Sequence, residues 1–189
     1  MPELARQELD VFVADFNPVE RPNLRVLQGG LGQSAAGEIS PAAERYDLDQ
    51  ADLSLLQKIF NGVPIPTICW DEGKTRADIT EHALVITDKL EVPTVPSAMR
   101  KVIVKEILPL EKAPASERPH LTPLEYKVIT LISRGMRNGH IAKILPINPA
   151  KLAEVVTPVL RSKLDAESNA HAVVRAFKLT ILKKPPKTT

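Results

Sequence analysis

Residues 121–147 constrain this chain more than any other stretch, because helix starts and stops follow one another too closely for anything but short helices. Thr122 precedes Pro123 and has Glu125 three positions on. A hydroxyl can cap the helix there, a proline costs nothing in the first turn, and a carboxylate can reach back to the cap amide. Val128, Ile129, Leu131 and Ile132 then form an apolar stripe, and Gly135 supplies a left-handed stop. Asn138 is placed to cap a short helix over residues 139–145, with Ile141, Ala142 and Leu145 inward. Residues 146–148 read as a tight turn, Asn148-Pro149 opens a helix over 149–164, and residues 167–169 open a last helix ending near Leu182. Three short helices around such a turn, closed by a fourth, predict an all-α helix-turn-helix unit over residues 120–182.

Charge divides the chain at the same place. Residues 1–119 carry 13 Lys+Arg against 19 Asp+Glu, whereas residues 120–189 carry 12 against 4. A basic half of this kind faces either a polyanion or simply solvent. Residues 109–119 hold three prolines and no apolar periodicity, and read as the linker between two domains. Residues 183–189 read as a disordered tail. The single cysteine, Cys69, sits in an apolar run and reads as a buried, inert thiol. No apolar run reaches the roughly 20 residues that a membrane span needs. The polar N-terminus does not look like a signal peptide. A cytoplasmic protein without a membrane partner is the expectation.

Ahead of the linker, strand and helix signals alternate. Residues 10–16, 65–70 and 83–87 read as strands; residues 19–27, 51–60 and 97–108 read as helices. The inward positions are Leu53, Leu56, Ile59 and Phe60 in the second of these helices, and Met99, Val102, Ile103 and Ile107 in the third. This alternation predicts an α/β domain over residues 1–108. Residues 28–41 read as a Gly/Ser/Ala-rich loop. No internal repeat is evident along the chain.

The C-terminal residues carry a family pattern. Leu121-Thr-Pro-Leu-Glu125, Val128, Leu131, Gly135, Asn138, Ile141-Ala142, Leu145 and Ile147 resemble the DNA-binding domain of LuxR/NarL-type transcriptional regulators in identity and spacing. Lys163-Leu164 resembles the Lys-Leu that closes that family's recognition helix, displaced by one residue, and Asn169 and Ala172 resemble its final helix. Residues 11–27 resemble the first strand and helix of a response-regulator receiver, with residues 65–70 and 83–89 similar to strands that carry its switch hydroxyl and lysine.

The receiver chemistry is missing. A receiver's magnesium demands oxygen ligands. Asp15 is present, but its expected acidic partner is Phe16, and Trp70 stands near the switch-hydroxyl position. Asp47, Asp49 and Asp52 lie in a polar segment, where helix capping or solvation is the simpler reading. Lys89 alone is a surface charge. The front therefore reads as a degenerate, receiver-like α/β domain without a phosphorylation site. His82, His120, His140 and His171 lack metal-ligand spacing. The glycines at 29, 30 and 32 lead to no clear helix and do not make a phosphate loop. No catalytic residue, metal site or cofactor is expected, so the protein does not read as an enzyme.

What the resemblance implies is a DNA-binding transcriptional regulator, acting as a homodimer on duplex promoter or operator DNA. By position, Lys127, Arg137 and Asn138 would touch phosphates. Asn148, Lys151 and Thr157 would face the groove, with Arg161 and Lys163 adding charge. The final helix would carry dimerisation through Val173, Ala176, Phe177 and Ile181. Two departures weigh against DNA. The recognition helix is poor in basic residues, with valines at 155 and 156, where the family usually has a histidine. Pro158 must also break or kink that helix near Val156. A regulator that keeps the fold but binds another transcription factor or RNA polymerase is the alternative.

Overall fold

The structure, a computed structural model, describes residues 41–186. The described residues belong to one compact unit, which is helical throughout, with no strand among them. The expectation of an α/β domain ahead of the linker is thereby overturned. The candidate strand at 10–16 and helix at 19–27 lie outside the described residues.

Among the described residues ten α-helices follow one another: α1 (Pro41–Glu44), α2 (Gln50–Phe60), α3 (Ile65–Glu72), α4 (Arg76–Lys89), α5 (Val95–Val104), α6 (Pro123–Ser133), α7 (Asn138–Ile144), α8 (Pro149–Lys151), α9 (Thr157–Lys163) and α10 (Asn169–Lys178). A π-helical turn over Leu152–Val156 joins α8 to α9, and a 3-10 turn over Ala115–Glu117 lies in the connection between α5 and α6.

The two misread strands show why short apolar runs deceive. Residues 65–70 form most of α3, entered through Pro64 and Pro66 in its first turn and stopped by Gly73 in the left-handed region. Residues 83–87 are the middle of α4. That helix starts in a complete capping box between Thr75 and Asp78, and buries Ile79, Ala83 and Ile86 at helical spacing. A five-residue window cannot show that period. Asp47, Asp49 and Asp52 proved to be the approach and capping box of α2.

The helices form two copies of one motif, an internal repeat that sequence inspection alone does not reveal. The first copy is α2–α5 and the second is α6 to α10. Asp49 and Thr122 cap the first helices, with Asp52 and Glu125 completing the boxes. Gly62 (φ 74°) and Gly135 (φ 84°) end them, and the buried Ile68 and Ile141 follow in the second helices. Each of these pairs is separated by 73 residues. Past the third helices the separation is 74: Leu90 with Leu164, the N-caps Thr94 and Ser168, and the positive-φ pairs Glu91 (50°) with Asp165 (51°) and Glu106 (59°) with Thr180 (56°).

The π-helical turn accounts for the change of spacing. It places one extra residue in the third helix of the second copy, immediately before Pro158. Wider winding there accommodates the proline, which lacks an N–H and collides with the carbonyl four residues back in a regular α-helix. The break expected near Val156 is thus a change of pitch.

The copies pack through their fourth helices. α5 lies along α10, α10 also meets α2, and α5 meets α6. Met99, Val102, Ile103, Val173, Ala176 and Phe177 are all buried, none more than 4% exposed. The contact is reciprocal. A Cβ on Gly62 would lie 2.2 Å from the His171 ring, and one on Gly135 would lie 2.9 Å from Ser97 Oγ, the counterpart of His171. When i meets j and the counterpart of j meets the counterpart of i, the interface has two-fold character. Residues 109–119 therefore join two packed halves rather than separating domains, and the Ala113 amide donates to the Lys178 carbonyl at 2.9 Å.

Candidate nucleic-acid interface

Each copy locks its first helix to its third by a buried carboxylate. In the first copy Asp52, at 1% exposure, accepts from Lys89 Nζ at 2.7 Å and pairs with His82 Nε2 at 2.8 Å. In the second, Glu125 accepts from Lys163 Nζ at 2.8 Å and from the Thr122 amide at 2.7 Å. Burial alone would raise both carboxyls. In Asp52 the bonds from Lys89, the Asp49 amide and His82 outweigh it, and in Glu125 those from Lys163 and Thr122 do, so both stay below the usual carboxylate range. A second lock ties the fourth helix to the loop before it. Lys101 Nζ donates to the Leu90 carbonyl and pairs with Glu91 at 3.6 Å. Its counterpart Arg175 donates to the Leu164 carbonyl at 2.9 Å and meets Asp165 at 3.8 Å.

These locks bear on stability rather than recognition. Asp52→Ala should cost about 3 kcal/mol, because it removes the returning half of a capping box and leaves Lys89 and His82 without their acceptor. Glu125→Ala should cost less, about 2 kcal/mol, since Lys163 can turn to water. Urea denaturation of the two variants measures the difference.

In the second copy, α7 and the helix from Pro149 to Lys163 frame the turn at residues 145–148. Ile141, Leu152 and Leu160 are buried beneath it. Arg137, rather than Asn138, is the N-cap of α7 and makes no side-chain cap bond, while Asn148 caps α8 by accepting from the Ala150 amide at 2.8 Å. Lys127, Arg134, Arg137, His140, Lys143, Asn148 and Lys151 are exposed, Asn138 and Arg161 partly so.

Two of the residues expected at DNA stand elsewhere. Thr157 is 1% exposed, and its hydroxyl donates to the Leu152 carbonyl at 2.9 Å, satisfying the π-helical turn instead of facing a groove. Lys163 is held by Glu125. Arg134 and Lys143 were not anticipated, although their spacing from Arg137 was visible in the sequence. Val173, Ala176, Phe177 and Ile181, the expected dimer contacts, are no more than 4% exposed within the chain itself.

The first copy presents a different surface at the same place. Residues 61–89 hold 3 Lys+Arg against 5 Asp+Glu, where the equivalent residues 134–163 hold 6 against 1. Pro64, Ile65 and Trp70 stand where the second copy has Arg137, Asn138 and Lys143. Trp70 is 88% exposed, on a helix rather than in a buried strand, and Cys69 beside it is half-buried. Together with Ile65, Pro66, Lys74, Thr75 and Arg76 they line a shallow, mainly apolar cavity of about 460 Å³.

Among the described residues no group of His, Cys, Asp and Glu is placed to hold a metal ion, and no helix is long and apolar enough to cross a membrane. Comparison of the chain with protein families, characterised proteins and solved structures finds no match to any of them.

Proposed function

We propose that the protein is a DNA-binding regulator of transcription that engages duplex DNA through its second helix-turn-helix copy. The observation carrying this reading is the charge of residues 134–163: four exposed cations, Arg134, Arg137, Lys143 and Lys151, lie in this segment, and Glu154 is its sole acid. Phosphate contacts of this kind supply most of the affinity and make it salt-dependent. In this reading Asn148 and Lys151, at the start of the third helix, are the side chains that reach base edges.

Fluorescence anisotropy of the full chain with a labelled duplex, across a salt series, tests the reading. Lys143→Ala with Lys151→Ala should weaken binding at least tenfold at low salt, and should reduce the log–log salt slope by about 2. Unchanged affinity and slope would remove this face from the interface.

A second reading has its own observation, the exposure of Trp70 on α3 and of Leu84 and Val85 on α4. Tryptophan exposed on this scale is typical of protein contact sites. In this reading the first copy meets another transcription factor or RNA polymerase. Retention of such a partner by the wild-type chain and its loss with Trp70→Ala would establish the contact; equal retention by both would reject it.

A further inference from the structure

We infer that the chain is its own dimer, a covalently joined pair of helix-turn-helix units of which only the second contacts DNA, so that one chain occupies one half-site as a monomer. The inference rests on the DNA-binding reading above and adds stoichiometry and a division of labour between the copies.

The first support is the state of the fourth helices. No residue of α5 or α10 is exposed. Their apolar stripes cover one another, and the ends of α2 and α6 cover the remainder through Gly62 against His171 and Gly135 against Ser97. A second chain finds no free apolar face on either helix. The reciprocal register of the contacts gives this internal interface the form that a two-fold homodimer has between chains. Two-fold symmetry here is spent inside one chain.

The second support is the divergence of the two outward faces. In a symmetric dimer both reading faces carry the same charges, because they are the same residues. Here they have separated. Asp78 in the first copy stands where Lys151 stands in the second, and Trp70 where Lys143 stands. The outward side of α4 presents Asp78, Glu81, Leu84, Val85 and Asp88, all exposed. Three carboxylates on that side repel a phosphate backbone rather than bind it. Lys74 and Arg76 are exposed cations at that site, beside Glu72, which pairs with Lys74 and with Lys58, each at 2.9 Å. The scaffold bonds meanwhile match between the copies, from the capping boxes to the Asp52–Lys89 and Glu125–Lys163 pairs. Fold was kept in both copies and cationic surface in one.

Two measurements on the full-length protein test this, with a duplex of arbitrary sequence at low salt as the probe. Sedimentation velocity reads stoichiometry. A monomer that forms a one-to-one complex with a duplex long enough for a single site is expected, and a stable dimer of the free chain would overturn the inference. Anisotropy then compares paired variants. Lys143→Ala with Lys151→Ala should weaken binding at least tenfold, whereas Lys74→Ala with Arg76→Ala should leave it within about twofold. Equal weakening by both pairs, with the protein still bound, would overturn the division of labour while leaving the DNA-binding reading intact. No binding by the wild-type chain would overturn the DNA-binding reading and the half-site assignment with it; monomeric sedimentation would then still support the internal dimer. Circular dichroism of each variant confirms that it is folded.

Discussion

Gly62→Ala should destabilise the protein by about 3 kcal/mol, and Gly135→Ala by a similar amount, although each adds a single methyl group. Two costs combine at each position. Both glycines hold left-handed backbone, at φ 74° and 84°, which costs an L-residue about 1 kcal/mol. The added carbon would also enter the contact between copies, 2.2 Å from the His171 ring in one case and 2.6 Å from Pro93 Cγ in the other. Relieving such an overlap in a packed core costs a further 1–3 kcal/mol, roughly. For a unit of this size the melting temperature should fall by about 6–12 °C in each variant. Gly73 is the control. It is also left-handed, at φ 61°, but a Cβ there meets nothing within 4 Å, so Gly73→Ala should show the backbone cost alone. Equal losses at Gly62 and Gly73 would contradict the close packing of the two copies.

Acid should weaken the same interface. His171 is 9% exposed, and its Nδ1 accepts from the Glu167 amide at 3.3 Å. Burial, then the nearby charges of Arg175 and Lys178, lower its pKa from 6.5 to about 4, with Asp165 acting weakly in the opposite direction. A folded-state pKa below the unfolded value means that the unfolded chain binds the proton more readily. The stabilisation is therefore complete above about pH 7 and is lost as the pH falls from 6.5 toward 4. The loss from this group should be about 2 kcal/mol at pH 5 and about 3 kcal/mol at pH 4. The lowered carboxyls of Asp52 and Glu125 add a further loss that sets in as the pH falls through their ordinary values of 3.8 and 4.5, where the unfolded chain takes up protons first. Urea midpoints measured between pH 7 and 5 check this. His171→Gln retains an acceptor for the Glu167 amide and should flatten the profile over that interval; a profile as steep as the wild type's would assign the acid sensitivity to another group.

The second copy was legible in the sequence because its punctuation is local. Thr122 with Glu125, Gly135, Asn148-Pro149 and Ser168 each act on the residues beside them, and each became a cap or a stop. Asn138 was displaced from the cap by one residue, since Arg137 already has extended backbone. The first copy has equally complete punctuation, with capping boxes at Asp49, Thr75 and Thr94. It was hidden because apolar residues also stand on its outward faces. Trp70 on α3, and Leu84 and Val85 on α4, are exposed and lengthen the apolar runs until each helix looks like a buried strand. The repeat was hidden by the π-helical turn, which shifts the register by one residue partway through, and by low identity at matched positions. Asp52 with Glu125, and Ser97 with His171, are equivalent only in what they touch.

The candidate site divides along the same line. Lys127, Arg137, Asn148 and Lys151 were readable by position and are exposed. Thr157 was not, because its inward turn depends on the π-helical carbonyl that its hydroxyl satisfies. The apolar stripe of α10 was readable as an interface, but the surface covering it lies in the same chain, a fact that only the packing of α5 supplies.

The most direct test of the central claim is a two-dimensional NMR titration of the full-length protein with a short DNA duplex at low salt. Amide perturbations should concentrate at residues 134–151, around Arg137, Lys143 and Lys151, and spare residues 64–88, including Trp70. Perturbations centred on residues 64–88, or a spectrum unchanged by DNA, would contradict it.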